Sequence, residues 1–342
     1  MQNKNSTIYK TILTVSGLII IFAGLKIADK IVVTFLLSMF IALISFPLLK
    51  FFQSKNINTP ISVSLVLVTI ISVSLSIAAL IGSSLNSFRK SLPEYKEKIY
   101  AEINNFSVTL EKYDINFDSN LLYDYVDPSF LMQSVANTIS AFGNVLTNYF
   151  LILFIVMFTL LEAAGFSNKI KLAFKNSEKS IANFHVFSEN MNKYLSIKTL
   201  VSIVTGFLIY ISLAIMGLDH AMMWGLIAFF LNYIPNIGSI IASIPAILIA
   251  LIQFNFFYAF LVALIYLFIN IIMGSIIEPK YLGKELGLST LIIFLSLIFW
   301  GWLLGPVGML LSVPLTMVMK IALESSNDTK WIAILLSRNV NN

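Results

Sequence analysis

The chain has 342 residues, of which 58% are hydrophobic and 11% charged, with a formal net charge of +5 and a mean hydropathy of +0.88. Soluble globular domains carry about 25% charged residues, so the composition excludes that class and predicts an all-α polytopic membrane protein. The lysines sit in short loops beside apolar runs, where they set orientation rather than bind nucleic acid, and the absence of cysteine excludes disulfides, thiol catalysis and zinc–thiolate sites.

Eight apolar runs follow in order: 11–28, 31–49, 60–82, 136–161, 199–218, 221–252, 256–277 and 287–319. The first follows only Lys4 and Lys10, and no small-residue cleavage site precedes the second, so it reads as a retained span. Lys4 and Lys10, Lys50 and Lys55, and six lysines (Lys169, Lys171, Lys175, Lys179, Lys193, Lys198) mark three loops as cytoplasmic. The loop with Lys26 and Lys30 must then face outward, against the same tendency. The tail with Lys320, Lys330 and Arg338 falls inside, so both termini are expected to be cytoplasmic.

The expected organisation is a scaffold of three spans over 1–82, an extracellular insert over 83–135 and a fourth span over 136–161. A cytoplasmic linker helix over 162–198, a transport core over 199–320 and a cytoplasmic tail over 321–342 complete it. The insert has five basic and eight acidic residues, which suits the outer face. Within it Leu85, Phe88, Leu92, Tyr95, Ile99, Ile103, Phe106 and Leu110 recur at helical spacing, and Asp127-Pro128 has the form of an N-cap and first turn. An extracellular gate, an oligomer contact or a helical hairpin lying on the bilayer all fit that pattern. In the linker, Ile170, Phe174, Ile181, Phe184, Met191 and Leu195 line one face among lysines, as in an interfacial helix. His185 there, and His220 beside Asp219, read as surface residues rather than proton relays.

Two runs carry the informative chemistry. Residues 221–319 hold only four charged side chains, Glu278, Lys280, Lys284 and Glu285, and two uncharged runs longer than the roughly 20 residues a crossing needs. Asn232, Pro235, Asn236, Gly238 and Ser239, followed by Ser243 and Pro245, interrupt the first. Gly301, Gly305, Pro306 and Gly308, then Pro314, interrupt the second. Proline removes a donor and glycine tolerates unusual dihedrals, so both ladders open and free polar backbone that lipid cannot satisfy. Paired Gly/Pro-interrupted segments are a sequence pointer to a transport site. The rival reading is packing: Gly301 and Gly305 form a GxxxG, and membrane prolines are often plain kinks. The two segments are either re-entrant hairpins of opposite orientation or single broken spans, and the Lys280 loop favours the hairpins.

The stretches NYIPNIGSIIASIPAILIAL at 232–251, EPKYLG at 278–283 and WGWLLGPVGMLLSVPLTMVMK at 300–320 resemble the signature segments of the autoinducer-2 exporter family of permeases. The similarity extends over nearly the whole chain, with Pro47 near the end of the second span and a soluble insert after the third. It implies a bacterial inner-membrane permease and a homo-oligomer, with a pentamer among the forms. Its cargo would be a small polar solute such as the furanosyl quorum-sensing signal, or a cation in sodium or lithium exchange for protons.

No phosphate-binding loop GxxxxGK[ST] occurs, so ATP hydrolysis is excluded; no enzyme activity, cofactor or metal site is expected. Proton coupling wants an intramembrane carboxylate, and Glu162 and Glu278 are the candidates, with interfacial anchoring as their other reading. The expected substrate path is Asn232, Pro235, Asn236, Gly238, Ser239, Asn270, Glu278, Gly301, Gly305 and Gly308. The amide and hydroxyl groups would donate neutral hydrogen bonds, and the glycines would let backbone approach the cargo. A non-transporting membrane scaffold that uses the insert as a binding module is the alternative of another class.

Overall fold

The computed structural model describes residues 2–111, 148–173, 178–235, 237–282, 288–324 and 329–337. Among these no strand forms, and the only extended pairing is an isolated antiparallel bridge, Leu288–Ser337. The helices are α1 (Gln2–Ile27), α2 (Asp29–Ser54), α3 (Thr59–Glu111), α4 (Tyr149–Ala173), α5 (Glu178–Ile215), α6 (Ala221–Leu231), α7 (Gly238–Gln253) and α8 (Phe256–Asn270). A π-helical segment (Ile271–Ile277) leads into α9 (Glu278–Leu282), α10 (Thr290–Leu310), α11 (Ser312–Glu324) and α12 (Lys330–Leu336). Five described helical stretches are long and apolar enough to cross a bilayer: Asp29–Ser54, Thr59–Phe88, Glu189–Ile215, Phe256–Tyr281 and Thr290–Leu310. Shorter apolar helices lie at Val15–Ile27, Tyr149–Ala163, Ala221–Leu231 and Gly238–Gln253. The chain is an all-α polytopic membrane protein.

Local chemistry sets the boundaries. Asn56 takes a left-handed φ of 62° after α2, a conformation asparagine tolerates. Gly217, φ 74°, closes α5 in a Schellman arrangement: its N–H donates to the Ala214 carbonyl and that of Leu218 to the Leu213 carbonyl, both at 3.0 Å. Asn255 caps α8 by accepting from the Tyr258 N–H, and Ser289 caps α10 by accepting from that of Ile292, each at 3.2 Å. Thr34, Ser38, Thr69, Ser76 and Thr205 donate to carbonyls four residues back, so their hydroxyls need no partner in lipid.

The fold divides into two compact units, one of residues 1–63, 150–193 and 284–342, the other of 64–149 and 194–283. The second has a continuous buried core around Trp224, Leu213, Ile209, Met223 and Val262. Ala242, Ala246 and Ala250, at four-residue spacing on α7, are fully or nearly fully buried beside Ala259, Val262 and Tyr266 of α8. Small residues let the two backbones approach, which supplies packing where lipid gives no hydrophobic drive between helices. Gly206 and Gly225 do the same for α5 and α6. A Cβ on Gly206 would lie 2.7 Å from the Gly225 carbonyl oxygen, and a Cβ on Gly225 would lie 2.7 Å from the Gly206 oxygen. The opposite side of α5, with Leu200, Ile203, Phe207 and Ile211, is exposed and apolar, as a lipid-facing stripe must be.

Two elements run on across expected boundaries. The amphipathic stretch at the start of the insert is helical and continues span three in α3, with Phe88 and Tyr95 buried. The end of the linker is continuous with span five, since α5 is helical without a break from Glu178 to Ile215 and its apolar crossing begins at Glu189. Asp127 and Pro128, and the first part of the 136–161 run, lie outside the described residues.

Candidate functional site

The first predicted break exists. Helix α6 ends at Leu231, and Asn232 to Pro235, with Ile237, lead towards α7 through short-range bonds, including Ile234 N–H to the Leu231 carbonyl at 2.9 Å. Gly238 makes the turn feasible, because a Cβ there would stand 1.7 Å from the Leu231 oxygen. At the far ends of the legs the Asp219 N–H donates to Gln253 Oε1 at 2.8 Å, and Gln253 Nε2 donates to the Gly217 carbonyl at 3.0 Å. With α6 and α7 joined at both ends they form an antiparallel helical hairpin. Its legs of 11 and 16 residues are each shorter than the roughly 20 a crossing needs.

One face of α5 holds that hairpin's tip. Tyr194, Lys198, Ser202 and Gly206 recur every four residues and are all buried. Asn232 Nδ2 donates to Ser202 Oγ at 3.0 Å, and the Tyr233 hydroxyl donates to Thr199 Oγ1 at 2.8 Å. One turn along, Lys198 Nζ donates to both oxygens of Glu278 at 2.8 Å. The pair is 4% and 16% exposed, and Tyr194 lies within electrostatic range of Glu278 and Tyr233. Glu278 is presented there by the π-helical segment, whose wider turn lets the Glu278 N–H donate five residues back to Met273. Such segments are rare and frequent at functional sites. Pro279 follows in the first turn of α9, where it has no N–H to donate. In the same unit the Tyr266 hydroxyl is buried with no partner among the described residues.

The second break is sharper. Gly305 has φ 66° and ψ −151°, a region open essentially to glycine alone, and Pro306 follows it. Gly308 then passes the first leg so closely that a Cβ would meet the Trp300 carbonyl oxygen at 2.0 Å, while Gly301 faces the Met309 side chain. The Trp300 indole N–H donates to Thr316 Oγ1 of α11 at 3.0 Å. This too is a helical hairpin, and α1 closes its tip. Lys26 Nζ donates to the carbonyls of Trp302 at 2.5 Å and Leu303 at 3.2 Å and stands 5.7 Å over the Trp302 ring. Phe22 packs edge-on against Phe299 at 5.1 Å.

The structure brings together Asn232, Pro235, Gly238, Ser239, Asn270 and Glu278 in one unit and places Gly301, Gly305 and Gly308 in the other. Asn236 lies outside the described residues. Asn270 opens the π-helical segment, its Oδ1 lying over Gly274 of its own helix. Glu162 is exposed on α4 and has an interaction partner. His185 lies on α5. His220 takes φ 59° at the start of α6, and its ring meets Phe88 edge-on at 5.7 Å.

Sequence reasoning placed Lys198 in a cytoplasmic loop and Lys26 in an outward one and missed their partners, Glu278 for Lys198 and the Trp302 and Leu303 carbonyls for Lys26. The four-residue recurrence from Tyr194 to Gly206 was the signal for the first. For Lys26 the signal was its conflict with the charge rule.

The profile of the AI-2E family transporter matches residues 16–328. The chain belongs to the AI-2E transporter family. It is 39% identical over 328 residues to the AI-2 transport protein TqsA of Escherichia coli K12, covering 96% of this chain and 95% of that one. A putative transport protein of Haemophilus influenzae is 40% identical over 342 residues, covering 98% of each chain. The putative transport protein YhhT of Escherichia coli K12 is 32% identical over 325 residues, covering 95% of this chain and 93% of that one. As an AI-2E transporter the chain is an integral membrane protein, and its buried polar face on α5 has to be understood as part of such a protein.

Proposed function

We propose that this AI-2E transporter is a secondary permease of the bacterial inner membrane that moves a small polar solute outward, with both termini cytoplasmic and the subunits assembled as a homo-oligomer. The observation that carries the reading is the buried Lys198–Glu278 pair beside the Asn232–Ser202 contact. Ionisable residues inside the bilayer are expensive and mark pathways or relays, and a buried ion pair is weak evidence for stability. A hydrogen-bonding face of hydroxyl, amide and phenol groups fits a hydroxyl-rich solute, and the similarity to TqsA supports a cargo of the autoinducer-2 type. Asn232, Ser239 and Asn270 contribute to that path, and Asn236 belongs to the same stretch of sequence. Both hairpins are re-entrant in this reading.

Transport would proceed by exchange at Glu278. In the present state Lys198 neutralises the carboxylate; a proton taken up by the carboxylate would release the ammonium and loosen the contact between α5 and the start of α9. The same carboxylate supports a second reading, exchange of sodium or lithium for protons.

Reconstitution in proteoliposomes separates these. Solute flux that responds to an imposed proton gradient, and loses that response in Glu278→Gln, is the expected result. Sodium-dependent proton movement without solute flux would replace the first reading by the second. Asn236→Leu is expected to abolish flux while the protein still inserts and assembles. Flux retained after deletion of the insert would separate transport from any binding role of that segment, and the lack of any flux in either assay would leave the scaffold reading.

A further inference from the structure

We propose that the tip of the second hairpin is a cation-binding site that the chain fills with its own Lys26. In an unbroken helix the Trp302 carbonyl would accept from the backbone N–H of residue 306, which is proline and has none. The Leu303 carbonyl, one residue nearer the left-handed Gly305, is the next at the break. Lys26 Nζ donates to both, at 2.5 and 3.2 Å, and the Trp302 ring supplies an aromatic face 5.7 Å away. Two carbonyl oxygens and a π face together recognise a small primary ammonium or a monovalent cation. The ammonium is tethered on the last turn of α1, where Phe22 fixes the helix against Phe299. Ile19, Ile20, Ile21 and Ile27 around it are exposed and apolar.

Lys26 is therefore a positioning residue. It holds the hairpin tip in one arrangement by replacing the donor that Pro306 lacks, and withdrawal of the ammonium frees the tip. This rests on the transporter reading only for its relevance to flux, and the test has an arm that needs no cargo.

The chain has no cysteine, so Val307→Cys gives a single reporter one residue beyond Pro306. Its rate of modification by a methanethiosulfonate reagent is measured in the full-length protein in proteoliposomes. Lys26→Ala is expected to raise the rate about tenfold, the factor that corresponds to losing a charged hydrogen bond. Lys26→Arg should stay near the parent, and added ethylammonium should return the alanine variant towards the parent rate where choline does not. An unchanged rate in Lys26→Ala, or equal rescue by choline and ethylammonium, overturns the proposal. If the alanine variant does not accumulate, Lys26→Met keeps the apolar stem and carries the same comparison. Flux measured in parallel tells whether the tip matters to transport: a rescued labelling rate without any flux in the parent sinks the permease reading and leaves the cation site standing.

Discussion

Lys198 Nζ stands 2.8 Å from each carboxylate oxygen of Glu278, across 80 residues of sequence, with both side chains largely out of solvent. Removing one partner of a buried pair leaves an uncompensated charge and destabilises by about 3–5 kcal/mol, whereas replacing both by apolar groups is often close to neutral. Lys198→Met and Glu278→Leu alone are therefore expected to lower the thermal midpoint in detergent sharply, and the double variant to recover most of the loss. Additive losses would mean that the two groups do not couple.

The glycines at the breaks differ in what they tolerate. Gly238→Ala and Gly308→Ala each place a methyl within 2.0 Å of a carbonyl oxygen, so the hairpin legs must part. Overpacking of this kind costs about 1–3 kcal/mol or more. Gly305→Ala meets no atom within 4 Å, but its φ of 66° and ψ of −151° suit glycine alone, at about 1–3 kcal/mol. All three should melt earlier than the parent. Gly17→Ala, with no atom within 4 Å and no positive φ, should not.

Gly225→Ala should separate α5 from α6, because its methyl would meet both the Gly206 oxygen and the Tyr210 Cβ at 2.7 Å. Loss of stability by about 1–3 kcal/mol is the expected outcome. A melting temperature equal to the parent's would mean that these helices do not cross so closely.

At the opposite end of the first hairpin the Tyr95 hydroxyl donates to Asp219 Oδ2 at 2.7 Å, and the Trp224 indole N–H donates to the Asp219 carbonyl at 3.0 Å. Burial, then the Asp219 contact, raises the Tyr95 phenol above its ordinary range. Tyr95→Phe removes a hydrogen bond to a carboxylate and should cost about 1.5–3 kcal/mol.

Burial also lowers the His220 imidazole, although Asp219 opposes it, and its Nε2 has no partner among the described residues. The folded state disfavours the proton that the unfolded chain accepts. This part of the stability is thus complete above about pH 6.5 and declines as the pH falls below it. His220→Asn keeps a residue that accepts the left-handed backbone and should flatten the pH dependence of melting between about pH 7.5 and 5.

The fold class and both breaks were legible because proline and glycine announce themselves locally: Pro235, Gly238, Gly305 and Pro306 interrupt runs that are otherwise uniformly apolar. Glu278 stood out for the same reason, as a rare charge beside Pro279. What holds Glu278 and the second break was not legible. Lys198 and Lys26 follow the same charge statistics as loop lysines, and only their three-dimensional partners, 80 and more than 270 residues away, distinguish them. The Gly206–Gly225 crossing escaped notice because the two lie on different helices, so no spacing motif joins them. Of the GxxxG pair, Gly305 is itself non-helical and Gly301 packs closely against Met309 of the other leg.

The π-helical stretch Ile271–Ile277 adds a constraint of a different kind. A π-helical turn holds one residue more than an α-helical one, so deleting any one of these seven would remove the wide turn from which Glu278 is presented to the ammonium. Segment length here matters as much as side-chain identity. In relatives aligned to this chain, a gap between the positions of Asn270 and Glu278 should travel with loss of the acid, the lysine or both.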